Sequence, residues 1–152
     1  MWFSIGNKMA VSFKTAINPG QASPSPLGSY SHALKVGNLL FISGQGCRDP
    51  KSGIEAGLTF DANGAVVAYD IEEQTKGVLE NLRAVLTAAN LGFENVVDIT
   101  VFLADMNDFQ KYNGVYSRYF SMENPPARTT VQVAKLPGRN YIEIKAIAAF
   151  AD

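Results

Sequence analysis

Arg128 follows Pro125-Pro126-Ala127, so the chain that delivers its guanidinium has little conformational freedom. A guanidinium on a stiff segment suits a carboxylate, which it grips through two parallel hydrogen bonds, although an arginine beside a turn is also an ordinary surface residue. Glu143 alternates with Ile142 and Ile144 and would share its side of a strand with Ile147 and Ala149. A carboxylate there is either a solvated strand-end group or, at the rim of an apolar surface, an acid with its pKa raised toward the range of proton transfer. Ser43-Gly44-Gln45 closes an apolar run with a glycine, which admits a ligand close to the backbone or, equally, a β-bulge. Cys47 and His32 are each the only residue of their kind, and no feature couples them, so the thiol reads as a bystander rather than a nucleophile. Structural zinc sites draw on several such ligands; neither a metal nor a cofactor is expected, and an internal disulfide is impossible. No Gly-Lys-Ser/Thr run offers a phosphate cradle.

The elements that must position these groups follow from pattern. Residues 19–28 hold three prolines and two glycines and read as a surface arm. Residues 30–36 and 39–43 flank Gly37-Asn38 as a β-hairpin. Residues 44–70 are rich in turn signals, and a stretch of that length is either functional or an appended hairpin. Asp70 is placed to cap a helix, with Glu73 three residues on as in a capping box. That helix would bury Ile71, Val78, Leu82, Val85, Leu86 and Ala89 and end at a left-handed Gly92. The β-branched run 96–103 predicts a central strand. Asp105 or Asn107 would cap a second helix whose aromatic stripe, Phe109, Tyr112, Tyr116, Tyr119 and Phe120, reads as core rather than ligand box. Strands at 128–134 and 141–150, parted by Leu136-Pro137-Gly138, complete the series. Residues 1–10 lack any period and are set aside as an N-terminal extension, leaving 11–152 as a single domain. Each helix connects two strands, and right-handed crossovers place both on one face of a mixed sheet, an α+β arrangement. The other face also carries apolar side chains, and self-association is the economical way to cover it.

Composition narrows the function. The chain has 152 residues, 47% of them apolar, which suffices for one core without a metal or disulfide staple. Thirteen basic against fourteen acidic residues give a net charge of -1, which argues against nucleic acid and anionic membranes as partners. No apolar run approaches the roughly 20 residues that span a bilayer, and none at the N-terminus forms a signal peptide, so a cytoplasmic location is expected. Charged residues are only 18%, consistent either with surface hidden in an oligomer or with a Ser/Thr/Asn-rich monomer surface.

Four segments then coincide: Leu39-Leu40-Phe41-Ile42-Ser43-Gly44-Gln45, the run from Val101 through Asp105-Met106-Asn107-Asp108-Phe109, Pro126-Ala127-Arg128-Thr129-Thr130-Val131, and Ile142-Glu143-Ile144. In this order they closely resemble the RidA/YjgF family of enamine and imine deaminases. The resemblance implies a chorismate-mutase-like fold, with a mixed six-stranded sheet, two helices on one face, and sheets packed into the barrel of a homotrimer with ligand clefts between subunits. It implies that Arg128 clamps a small substrate's carboxylate and that Glu143 orients or protonates the reacting groups. Tyr30, Ser43, Gly44, Asn113 and Thr130 would line the same pocket. Several family members carry cysteine where this chain has Thr130, so no thiol role transfers. The implied reaction is hydrolysis of 2-imino or 2-enamino acids to 2-keto acids and ammonia. Gly28-Ser29-Tyr30-Ser31-His32, Arg48-Asp49-Pro50 and Tyr69-Asp70-Ile71 resemble the 2-aminomuconate deaminase branch, where Arg48 is either a second carboxylate anchor or a solvated loop residue. A reading from another class is a regulatory or small-carboxylate-binding trimer that does not turn its ligand over.

Overall fold

In the computed structural model, which describes residues 12–151, the elements in chain order are β1 Thr15–Ile17, β2 Ala33–Val36, β3 Leu39–Gln45, β4 Leu58–Phe60, β5 Val66–Tyr69, α1 Ile71–Ala88, β6 Val96–Leu103, α2 Phe109–Tyr116, β7 Ala127–Gln132 and β8 Ile142–Ala149. The extension assigned to residues 1–10 lies outside the described residues. Alternation along β8 shows why a one-sided sheet forms: Ile142, Ile144, Ala146 and Ala148 are buried, while Glu143, Lys145, Ile147 and Ala149 point the other way. Six strands pair in the order β1-β2-β3-β8-β6-β7, antiparallel except for the β6–β7 pair. Both helices cover the buried face. Val78, Leu82, Val85 and Leu86 of α1 and Tyr112 and Tyr116 of α2 share one core with Leu40, Ile42, Ile99, Val101 and Ile144. No described helix is long and apolar enough to cross a membrane.

Most predicted elements are present, with several corrections. The pattern 30–36 forms a strand only from Ala33, because the segment before it is bent by a Gly28–Tyr30 backbone hydrogen bond. The sixth strand of the sheet is the short β1, whose Thr-Ala-Ile is too brief to show a period. Residues 44–70 contain an appended two-stranded hairpin, β4–β5. Asp70 caps α1 through its side chain, accepting from the backbone N–H of Glu72 and Glu73. The helix stops two residues earlier than expected: Asn90, not Gly92, holds the left-handed position at φ 57°. Leu91 N–H bonds Leu86 C=O and Asn90 N–H bonds Thr87 C=O, a Schellman closure in which the asparagine tolerates the conformation that glycine usually supplies. Asp105 caps a single 3-10 turn, and α2 is only eight residues long. Tyr119 and Phe120 therefore lie beyond the helix, yet Phe120 still stacks on Tyr116 at 4.5 Å between ring centroids, so the aromatic stripe is core as predicted. β7 ends at Gln132 and β8 begins at Ile142, trimming the two predicted strands at their turn ends. β6 is flanked on both sides, by β8 and β7.

The face of the sheet away from the helices remains open in one chain. Phe41 and Val131 are 39% and 38% exposed there, next to half-buried Phe102 and Ile147.

Candidate active site

The β3–β8 ladder slips between Ile42 and Gln45, so Gly44 sits in a bulge and opens a gap against β8. Glu143 fills that gap. A Cβ built on Gly44 would lie 2.9 Å from the Glu143 carboxyl carbon, so the glycine serves both readings made of it, bulge and close approach. The backbone there does not need glycine's left-handed freedom; only space excludes a side chain. Gly44→Ala is therefore expected to lower the thermal midpoint, by an overpacking cost of about 1–3 kcal/mol. The loss should largely disappear in Gly44→Ala combined with Glu143→Ala, and an unrepaired loss in the double variant would show that the contact is not the cause.

Half-burial pushes the Glu143 carboxyl above its ordinary value, desolvation being the cause. It has no ion-pair partner among the described residues, where the pairs are Arg83–Glu80 and Arg139–Glu55. The cavity in front of it measures about 420 Å³ and is lined also by Tyr30, Ser43, Gly44, Arg48 and Lys145. Its outer wall is the proline-rich arm, pinned in three places. His32 Nε2 bonds Pro24 C=O at 2.9 Å, Arg48 Nη2 donates to Ser25 C=O at 2.6 Å, and Tyr30 Oη accepts from Leu27 N–H at 3.2 Å. Tyr30 remains 51% exposed at the rim. Ser43 Oγ donates to Ser31 C=O at 2.7 Å, so the serine secures the arm with its proton and faces the cavity with what remains of its acceptor capacity.

Arg128 is elsewhere in the same chain. It pairs with Ile99 across β6–β7, on the helix side of the sheet, whereas Glu143 pairs with Phe102, on the open side. One strand separates them laterally, about 10 Å at usual spacing, and three residues of β6 separate them lengthwise, about 10 Å more. No small molecule spans both within one chain. Arg128 is nonetheless held in place: its guanidinium lies over the Tyr116 ring at 4.6 Å, and Nη1 donates to Asn113 Oδ1 at 2.8 Å. Thr130 Oγ1 bonds Tyr112 Oη at 2.6 Å on the same side. The predicted residues thus fall into two groups, Glu143 with Tyr30, Ser43 and Gly44, and Arg128 with Asn113 and Thr130.

Cys47 is buried and its thiol is pushed up to about 12 by desolvation, so it stays protonated at neutral pH and is no nucleophile. His32 is occupied with the arm.

Sequence reasoning missed the residues that hold the cavity floor. Asn81 Nδ2 donates to Gly46 C=O and Arg48 C=O at 2.8 and 2.9 Å, and Asn140 Oδ1 accepts from Cys47 N–H at 2.9 Å. Gln74, fully buried, donates to Arg139 C=O and accepts from Tyr141 N–H. The available signal was two amides, Gln74 and Asn81, on the apolar face of α1, where an unpaired side-chain amide would be costly.

A sequence profile of the family described as Endoribonuclease L-PSP matches residues 20–150. A RutC family protein of Pyrococcus horikoshii is 48% identical over 126 residues, 83% of this chain and 90% of its own. The human protein named 2-iminobutanoate/2-iminopropanoate deaminase is 41% identical over 126 residues, 83% of each chain. The crystal structure of the YjgF gene product of Escherichia coli superposes with a TM-score of 0.74 at 34% identity, covering 89% of this chain and 98% of that one.

Proposed function

The chain belongs to the Endoribonuclease L-PSP family, the YjgF/RidA/RutC group, and from that premise we propose that it is a hydrolytic deaminase of small 2-imino and 2-enamino acids. The observation that carries the reading is Glu143, a desolvated carboxyl without an ion-pair partner among the described residues, packed on Gly44 at the wall of a cavity of small-molecule size. A 2-imino acid carries its carboxylate beside an electrophilic C=N carbon. Water adds to that carbon, a proton from Glu143 reaches the nitrogen, and the carbon–nitrogen bond breaks. The oxygen stays as the ketone of a 2-keto acid, and the nitrogen leaves as ammonia. A 2-enamino acid first takes a proton on carbon to become the imine. The relative named as a deaminase supports a small 2-imino acid rather than 2-aminomuconate.

The carboxylate clamp comes from a neighbouring copy. Arg128 is rigidly presented at the edge strand β7, and the open sheet face exposes Phe41 and Val131 for burial. In a cyclic homotrimer each Glu143 cavity would receive the next protomer's Arg128, which assembles the two groups that one chain keeps apart. The net charge of -1 also favours a small acid over a polynucleotide as ligand. The expected result is faster release of both ammonia and 2-keto acid from 2-iminopropanoate generated in situ by an amino-acid oxidase. The scattering mass should be three times that of one chain. Release no faster than in buffer overturns the reaction, and a monomer mass overturns the shared site.

A further inference from the structure

Two cations face the Glu143 cavity with no acid of their own. Arg48 and Lys145 both line it, Glu143 is the one carboxylate among the lining residues, and neither cation is in either ion pair among the described residues. Lys145 stands on β8 two residues from Glu143 and therefore on the same side of the sheet. Arg48 is fixed from behind. Its backbone C=O accepts from Asn81, its backbone bridges to Glu55, and only Nη2 is committed to the arm, leaving its other N–H groups for a ligand.

We propose that Arg48 and Lys145 form a subsite for a second carboxylate, so that the preferred substrates are 2-imino acids whose side chain ends in an acid group. The inference rests on the deaminase reading, in which a neighbour's Arg128 holds the first carboxylate. A diacid is then gripped at both ends by cations from two protomers, and its C=N carbon lies between them at Glu143. The cavity of about 420 Å³ accommodates a five-carbon diacid. A monoacid of the same reaction class leaves both cations without a counter-charge, and that difference is the source of the preference.

Binding separates this subsite from turnover, because the keto products are stable. Calorimetry on the full chain should show 2-oxoglutarate bound about tenfold or more tightly than pyruvate, one decade per 1.4 kcal/mol. The preference should fall toward unity in Arg48→Gln and in Lys145→Met. The ratio of kcat/KM for 2-iminoglutarate over 2-iminopropanoate should fall in parallel. If Arg48→Gln loosens the arm, Lys145→Met, which breaks no ion pair seen among the described residues, carries the test. Equal binding by the parent, or a preference that survives both substitutions, overturns the subsite. Hydrolysis of 2-iminopropanoate without any diacid preference leaves the reaction standing and removes the subsite. A diacid preference in binding with hydrolysis of neither imine supports the subsite and overturns the deaminase reading.

Discussion

Glu143→Gln is expected to lower kcat on a 2-imino acid by about a hundredfold to ten-thousandfold, the range for losing a positioned proton donor. Glutamine keeps the shape packed against Gly44 and removes only the titratable proton, so KM should change far less than kcat. The pH dependence has a definite sign. Desolvation raises the folded-state pKa of Glu143 above 4.5, so the parent's proton donor is lost as pH climbs through that raised value. The alkaline limb it produces should be missing from the residual activity of the glutamine variant. Stability moves in the matching direction. Below pH 4.5 the carboxyl is protonated in folded and unfolded chains alike, and its burial carries no charge penalty. As pH rises through the raised folded value, the parent must hold a desolvated carboxylate and loses stability that the variant keeps. Thermal melts should therefore show Glu143→Gln above the parent at neutral pH, with the gap closing in acid. A gap that widens in acid would mean that Glu143 is stabilised as an anion.

Arg128→Ala is expected to lower kcat/KM by roughly thirtyfold to several thousandfold, as truncating one partner of a hydrogen-bonded charge pair costs about 2–5 kcal/mol. Arg128→Lys should recover little, because an ammonium cannot reproduce a fork held flat against Tyr116 and bonded to Asn113. The more decisive measurement mixes two inactive chains. Arg128→Ala and Glu143→Gln, refolded together in equal amounts, should regain about a quarter of parent activity, since a cyclic trimer of random composition has both native groups at one site in four. A mixture as inactive as its parts would overturn the site shared between protomers.

The helix signals were strong because they are local. Asp70 followed by an apolar stripe leaves few alternatives, and the β-branched run 96–103 coincides with β6 from end to end. Where two residue types satisfy the same backbone need, the local signal misled: Asn90 took the left-handed cap that Gly92 could equally have supplied. Short elements such as β1 carry no local signal because three residues cannot display a period, and their stability comes from the strand they pair with.

Fold class was legible along the chain, since periodicity, capping and the four segments around Gly44, Asp105, Arg128 and Glu143, which supply the residue types of the candidate site, are written in neighbouring residues. Folding alone settles which of those residues meet. Strand parity sends Arg128 and Glu143 to opposite faces, and parity is a matter of register between β6, β7 and β8, which no single segment carries. It also brought Lys145, Arg48 and the proline arm to one cavity from segments far apart in the chain, because contact across a sheet depends on pairing rather than on distance in sequence.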